Sequence, residues 1–273
     1  MYNVRKTIAA AAIAAIVMAS CSGNQERTEA ATGLLEQARA LVQNHNYDSA
    51  LTVLDTLDIA YRDCLEQRRK GTVVRLAALA DLSRDSLASC EQQLQLAQAD
   101  LGRLQPQFQK IDLQGTDGYY VDKATFSGSE MNRTGIQARV DDEGYFFLVA
   151  NVAGRKIGLS RLVFENVSSE SGQAVAVEGS EIMSLSQEKT AELVNALVQA
   201  KAPATVKLVG AKGEVAVKLD AKQLASIRDT RDYASALQRA RRLQIVQEKL
   251  ERQLQRLNDQ IANHIPVDEQ QPQ

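Results

Sequence analysis

The chain has 273 residues, with 32 basic and 34 acidic side chains, two histidines, three cysteines and no tryptophan. That balance offers no strongly basic field to draw in nucleic acid. His45 and His264 both lie outside the strand-like part of the sequence, so no Ser-His-Asp or Cys-His arrangement and no His/Cys zinc site can be assembled there.

The first element is an apolar run, Thr7–Ser20, behind Arg5 and Lys6. It is shorter than the ~20 residues a membrane-spanning helix needs. A basic start, a short apolar stretch and small residues together form the pattern of an export signal. Its end, Met18, Ala19, Ser20 and Cys21, resembles the lipobox of bacterial lipoproteins, with Met18 where that family usually has Leu. The resemblance implies that residues 1–20 are removed and that Cys21 becomes the acylated first residue. Ser22 in the next position favours the outer membrane by the same resemblance. Several acyl chains on one residue exceed what stable anchoring needs, so the mature chain is expected to be held on a membrane by its N-terminal lipid. Without residues 1–20 the chain keeps 30 basic and 34 acidic side chains. Residues 21–33 are polar and small and read as a flexible tether.

Residues 34–112 read as a helical hairpin followed by a long coiled-coil helix. Ala38 and Leu41, then Tyr47, Ala50, Leu51 and Leu54 around "NYDSAL", resemble a single tetratricopeptide unit. Such units need stacked neighbours to bury a continuous core, so one alone is expected to cap a longer helix. From Val73 a seven-residue repeat follows through Leu76, Ala80, Ser83, Leu87, Cys90, Leu94, Ala97, Leu101, Leu104, Phe108 and Ile111. Alternating spacings of three and four with polar residues between them mark a coiled-coil seam, about 57 Å long at the α-helical rise. Gly102 and Pro106 predict a kink near its end. Cys64 and Cys90 on one helix would stand about 39 Å apart, far beyond the ~4.4–6.8 Å a disulfide spans. A bridge would require a turn near "DLSRDS"; otherwise Cys90 is a small core residue.

Residues 113–222 change character. Strand-like runs include "YYVDKATF", "GIQARV", "YFFLVANV", "KIGLSRLVFE", "ATVKLV" and "EVAVKL", with one helix, "SLSQEKTAELVNALVQA". Ile136, Ala138 and Val140 alternate with Gln137 and Arg139, the period of a half-buried strand. The turns "DDEG" and "GAKG" have hairpin chemistry, which absorbs the acidic cluster Asp141, Asp142 and Glu143. Ser184 and Gln187 are spaced as a capping box. In "YFFLV", Tyr145 and Phe147 must face away from Phe146. Tyr119, Tyr120, Tyr145 and Phe147 are therefore the candidate surface for a glycan or protein partner.

Residues 223–264 return to the seam pattern through Tyr233, Ala236, Ala240, Leu243, Gln247, Leu250, Leu254, Leu257 and Ile261, and residues 265–273 form a polar tail with two prolines. The predicted fold is α+β: a long helical stalk of antiparallel N- and C-terminal coiled-coil helices with an inserted strand-rich domain. Pairing within the chain is favoured, with self-association through the coiled coil as the other arrangement. No catalytic, cofactor-binding or metal-binding residue is identified. The leading expectation is a non-enzymatic envelope lipoprotein that displays the α+β module to a protein or envelope polymer. The alternatives are an adaptor subunit of an export or efflux assembly and, more weakly, a carboxylate-dependent hydrolase. The whole chain resembles envelope lipoproteins of the Bacteroidota, a resemblance that implies no activity.

Overall fold

The computed structural model describes residues 24–112, 118–125 and 133–264. Cys21, the apolar run before it, Phe126 and the tail 265–273 lie outside the described residues. The fold is α+β, and it divides into two compact units, Met1–Ser89 with Glu248–Gln273, and Cys90–Gln247. No described helix is long and apolar enough to cross a membrane.

The first unit contains α1 (Asn24–Gln43), α2 (Tyr47–Ala60), the beginning of α3 (Leu65–Leu104) and the end of α5 (Ala221–His264). Helix α1 starts at Asn24, inside the segment that sequence reads as a tether. Its first turns are tied down by Arg27, which donates to both carboxylate oxygens of Asp63 and to the Ala60 carbonyl. Ala31, Leu35, Ala38, Val53, Leu54, Leu57 and Cys64 form the apolar centre of this unit. Gly71 lets α3 come close to α2, because a Cβ there would lie 3.0 Å from a Leu57 methyl. Arg68 and Arg75 both reach Asp58, and Arg75 also reaches Asp55. Between α3 and α5 in this unit, Gln253 donates to the Ser83 hydroxyl at 3.3 Å and Arg84 to the Asn258 side-chain oxygen at 3.2 Å.

The second unit holds two antiparallel sheets. Six strands run in the order β1 (Phe108–Ile111), β2 (Tyr119–Asp122), β3 (Gly135–Asp141), β4 (Phe146–Val152), β8 (Ser180–Ser186), β7 (Val175–Val177). Four run in the order β10 (Gly213–Leu219), β9 (Ala204–Gly210), β5 (Leu159–Phe164), β6 (Val167–Ser168). Helix α4 (Gln187–Gln199) follows β8 directly. Ala138, Val140, Phe146, Leu148, Ala150, Met183 and Leu185 turn one face of the larger sheet into the core. Leu162, Val206, Leu208 and Leu219 meet them from the smaller sheet, and Leu193, Leu197, Ile227 and Tyr233 from α4 and α5. Tyr233 stacks on Phe108 with ring centroids 4.3 Å apart and takes the edge of Tyr120 at 5.5 Å. Leu94, Ala97 and Ala240 form a smaller apolar cluster where α3 meets α5 within this unit. The Cys90 thiol there points at the Leu243 carbonyl, 3.4 Å away.

Three local expectations are corrected. Phe108 and Ile111 are not seam residues but lie in β1. The helix stops at Leu104, and Pro106 sits in a 3-10 turn, Gln105–Gln107, where its missing N–H and its ring prevent continuation. The proposed cap pair also fails: Ser184 belongs to β8, where it pairs with Val149, and the residue before α4 is Ser186, with no side-chain cap. Strand pairing claims the backbone as far as Ser186, which leaves Ser184 two residues short of the cap position. Of the two arrangements left open for the cysteines, the unbridged one is found: α3 runs unbroken through "DLSRDS", and Cys64 and Cys90 are buried free thiols.

Candidate functional site: a notch at the edge of β3

Strand β3 pairs with β4 at six positions, Gly135 to Val140, but with β2 only at Tyr119↔Asp141 and Tyr120↔Val140. From Gly135 to Arg139 the side of β3 that faces β2 therefore has no strand partner among the described residues. The Asp122 carboxylate accepts the Ala124 backbone N–H at 2.8 Å, a local turn that closes the strand. Thr125, just beyond, is held by the Ser226 hydroxyl of α5 at 3.0 Å.

The result is a notch of about 190 Å³, lined by β3, by Thr125, Ser226 and Ile227 on one side, and by Arg133, Thr134 and Asn151 on the other. The Arg133–Thr134 wall is pinned from behind: Asn151 donates to the Arg133 carbonyl at 2.8 Å, and the Thr134 hydroxyl accepts the Ala153 N–H at 3.0 Å. Arg139 lies over the Tyr119 ring at 4.2 Å and donates through Nε to the Gln137 side-chain oxygen at 2.6 Å. That bond fixes the Gln137 amide so that its Nε2 is buried without a hydrogen-bond partner. Among the described residues that line the notch there are two arginines and no carboxylate.

Of the four aromatic candidates, two share a face and two do not. Tyr119 and Phe147 stand on the face of the larger sheet opposite the core, with Arg139 on the strand between them. Tyr120 points the other way and packs on Tyr233. Tyr145, 54 % exposed, stands in the turn before β4. The acidic cluster closes that same turn: the Asp141 carboxylate accepts the N–H groups of Glu143 and Tyr145, and Asp142 pairs with Lys110 at 2.8 Å. Gln137, Arg139, Arg133 and the Thr125–Ser226 pair are absent from the sequence-derived candidates. The alternation of Gln137 and Arg139 along β3 was the available signal, but the gap beside them depends on where β2 ends.

Two further ionisable groups near this region are shifted. Burial raises the Asp229 carboxyl above its ordinary value, and Asp122 nearby adds to the rise. Burial likewise pushes the Tyr233 hydroxyl up to about 12. Among the described residues no group of three His, Cys, Asp or Glu side chains is placed to hold a metal ion. The arrangement offers positive charge, amide and hydroxyl hydrogen-bonding groups and a short apolar wall, which are means of holding a ligand in place. The chain matches no family model, no curated protein and no solved structure.

Proposed function

We propose that the chain is a lipid-anchored protein of the cell envelope, attached through Cys21, on the outer membrane, and that it binds a partner rather than catalysing a reaction. In this reading α3 and α5 form an antiparallel coiled-coil stalk, and the strand-rich unit is the part that is displayed. The order of contacts between the helices supports the pairing. Ser83 and Arg84 meet Gln253 and Asn258, while Cys90 further along α3 meets Leu243 earlier in α5. Partner numbers fall on one helix as they rise on the other.

The observation that carries the binding reading is the sheet face away from the core, where Tyr119 and Phe147 flank Arg139, whose guanidinium lies over the Tyr119 ring. Photo-crosslinking in intact cells, with the reactive group at Tyr119, Tyr145 or Phe147, tests it. The expected result is a discrete adduct from these positions and none from an equivalent group at Arg161 on the smaller sheet. Adducts that arise only along the helices would overturn the assignment of the binding surface. The anchor is tested separately by labelling with a radioactive fatty acid, which the native protein should incorporate and Cys21→Ala should not.

A further inference from the structure

We propose that the corner joining α2 to α3 sits in the head-group layer of the membrane that holds the chain, with Ile59 and Leu65 as its apolar contacts. This rests on the reading of Cys21 as an acylated residue. The first argument is what the corner exposes. Ile59 is 67 % exposed and Leu65 72 %, the two most exposed of the large apolar side chains among the described residues. Single exposed apolar residues are ordinary. These two flank one tight turn, in which the Tyr61 carbonyl accepts the Cys64 N–H at 3.1 Å, so both belong to the same end of the helical hairpin. Leu57 and Cys64 beside them are packed into the apolar centre of the unit, and Ile59 and Leu65 are left out of it.

The second argument is where the chain is held. Arg27 donates to the two Asp63 carboxylate oxygens at 3.0 and 2.8 Å and to the Ala60 carbonyl at 3.1 Å, which clamps the start of α1 to this corner. From Arg27 back to Asn24 is about 4.5 Å along the helix. Cys21 lies three residues further, at most about 11 Å of extended chain. An acylated cysteine stays at the membrane surface, so this short leash keeps the corner close to the head groups. Residues 22 and 23 alone separate the anchor from α1, which leaves little chain there to cover Ile59 and Leu65 instead.

The third argument is charge. Residues 26–29 and 58–70 together carry five basic and five acidic side chains, so the corner has no net field to repel a head-group layer or to draw in an anionic one. Asp63 is matched by Arg27 and Glu66 by Lys70, each at 2.8 Å. Arg62 and Arg69 are exposed, and their long stems can lie along the layer while the guanidinium groups stay in water. The contact is therefore apolar in character and indifferent to lipid charge.

The test uses the mature acylated protein in phosphatidylcholine vesicles, with an environment-sensitive fluorophore on Ala60→Cys, an exposed position in the corner. Cys64 and Cys90 are buried, so a thiol reagent labels the introduced site. Lipids spin-labelled near the head group should quench this fluorophore several-fold more than one on Gln43→Cys, an exposed site at the other end of α1, about 24 Å from Arg27 along the helix. Ile59→Asp with Leu65→Asp changes only exposed side chains; it should bring the quenching down to the Gln43 level while fatty-acid incorporation is kept. Added phosphatidylglycerol should change nothing. Equal quenching at positions 60 and 43, quenching untouched by the paired Asp substitutions, or quenching only with phosphatidylglycerol would each overturn the proposal. So would a fluorophore at position 60 that is already shielded in unacylated Cys21→Ala protein without vesicles, which would assign the corner to a second copy or to residues 265–273. If the native protein takes up no fatty acid, the anchor falls and the membrane corner with it; uptake with an unquenched position 60 removes the corner alone.

Discussion

Glu181 is only 8 % exposed, and its carboxylate collects the backbone N–H groups of Ile157, Gly158 and Leu159 at 2.9–3.2 Å. Gly154 and Gly158 both have positive φ, 74° and 69°, which curls the loop so that successive N–H groups converge on one point. Burial alone would raise this carboxyl; the three donors outweigh it and hold the group below the ordinary range. A folded-state value below the unfolded value of about 4.3 means that the contribution is present above that pH and fades as pH falls through the folded-state value. Glu181→Gln should therefore cost about 2 kcal/mol at neutral pH, measured by urea unfolding. Because the variant lacks the titrating group, its deficit should shrink in acid. A deficit independent of pH would show that shape, not charge, holds the loop.

At the scale of elements, the second unit depends on how α5 meets the larger sheet. Gly144, in the β3–β4 turn, has φ +87°, and a Cβ there would lie 2.9 Å from Gln238 Cγ and 3.1 Å from its backbone nitrogen. Gly144→Ala is expected to destabilise by about 2 kcal/mol, from backbone strain and the collision together, a loss visible as a lower urea midpoint with an unchanged slope. Tyr233 is the opposite kind of contact, a ring 2 % exposed between Phe108 and Tyr120. Tyr233→Ala should cost about 4 kcal/mol. Tyr233→Phe, which keeps the ring, should cost less than about 1 kcal/mol, and a larger loss would assign the hydroxyl a stabilising role.

The same elements explain what could be read from the chain. Leu94, Ala97, Ala240 and Leu243 are legible because a seam repeats, and the turns at "DDEG" and "GAKG" because turn residues act locally. Phe108 and Ile111 mislead because their spacing continues the seam by chance past Pro106. Ser184 misleads because Ser-x-x-Gln also fits a strand that leads straight into a helix. The notch was not legible at all. Two contacts that border it are the bond of Thr125 to Ser226, a partner far along the chain, and the Asp122 turn that follows β2. Neither event leaves a periodic trace in the sequence.

At the scale of the whole molecule, the three cysteines offer a readout of the proposed anchor. Cys64 and Cys90 are buried, 7 % and 5 % exposed, and unpaired. A thiol reagent should react with neither in the native protein. If Cys21 is acylated as proposed, after denaturation it should find two thiols in membrane-extracted protein and three in a form made without export. Three thiols in membrane-extracted protein would refute the anchor, and fewer than two would mean that Cys64 or Cys90 is modified.

The lengths of the outermost strands bear on how the molecule behaves in company. The larger sheet ends in four residues at β1 and three at β7, and the smaller one in two at β6. Among the described strands that end a sheet, only β10 offers a long border, of seven residues, and it carries Glu214 and Lys218, with Glu214 already engaged by Lys207 across the ladder. Short or charged borders give a neighbouring chain little backbone to copy. Such molecules can stand side by side at high local concentration without zipping into fibrils.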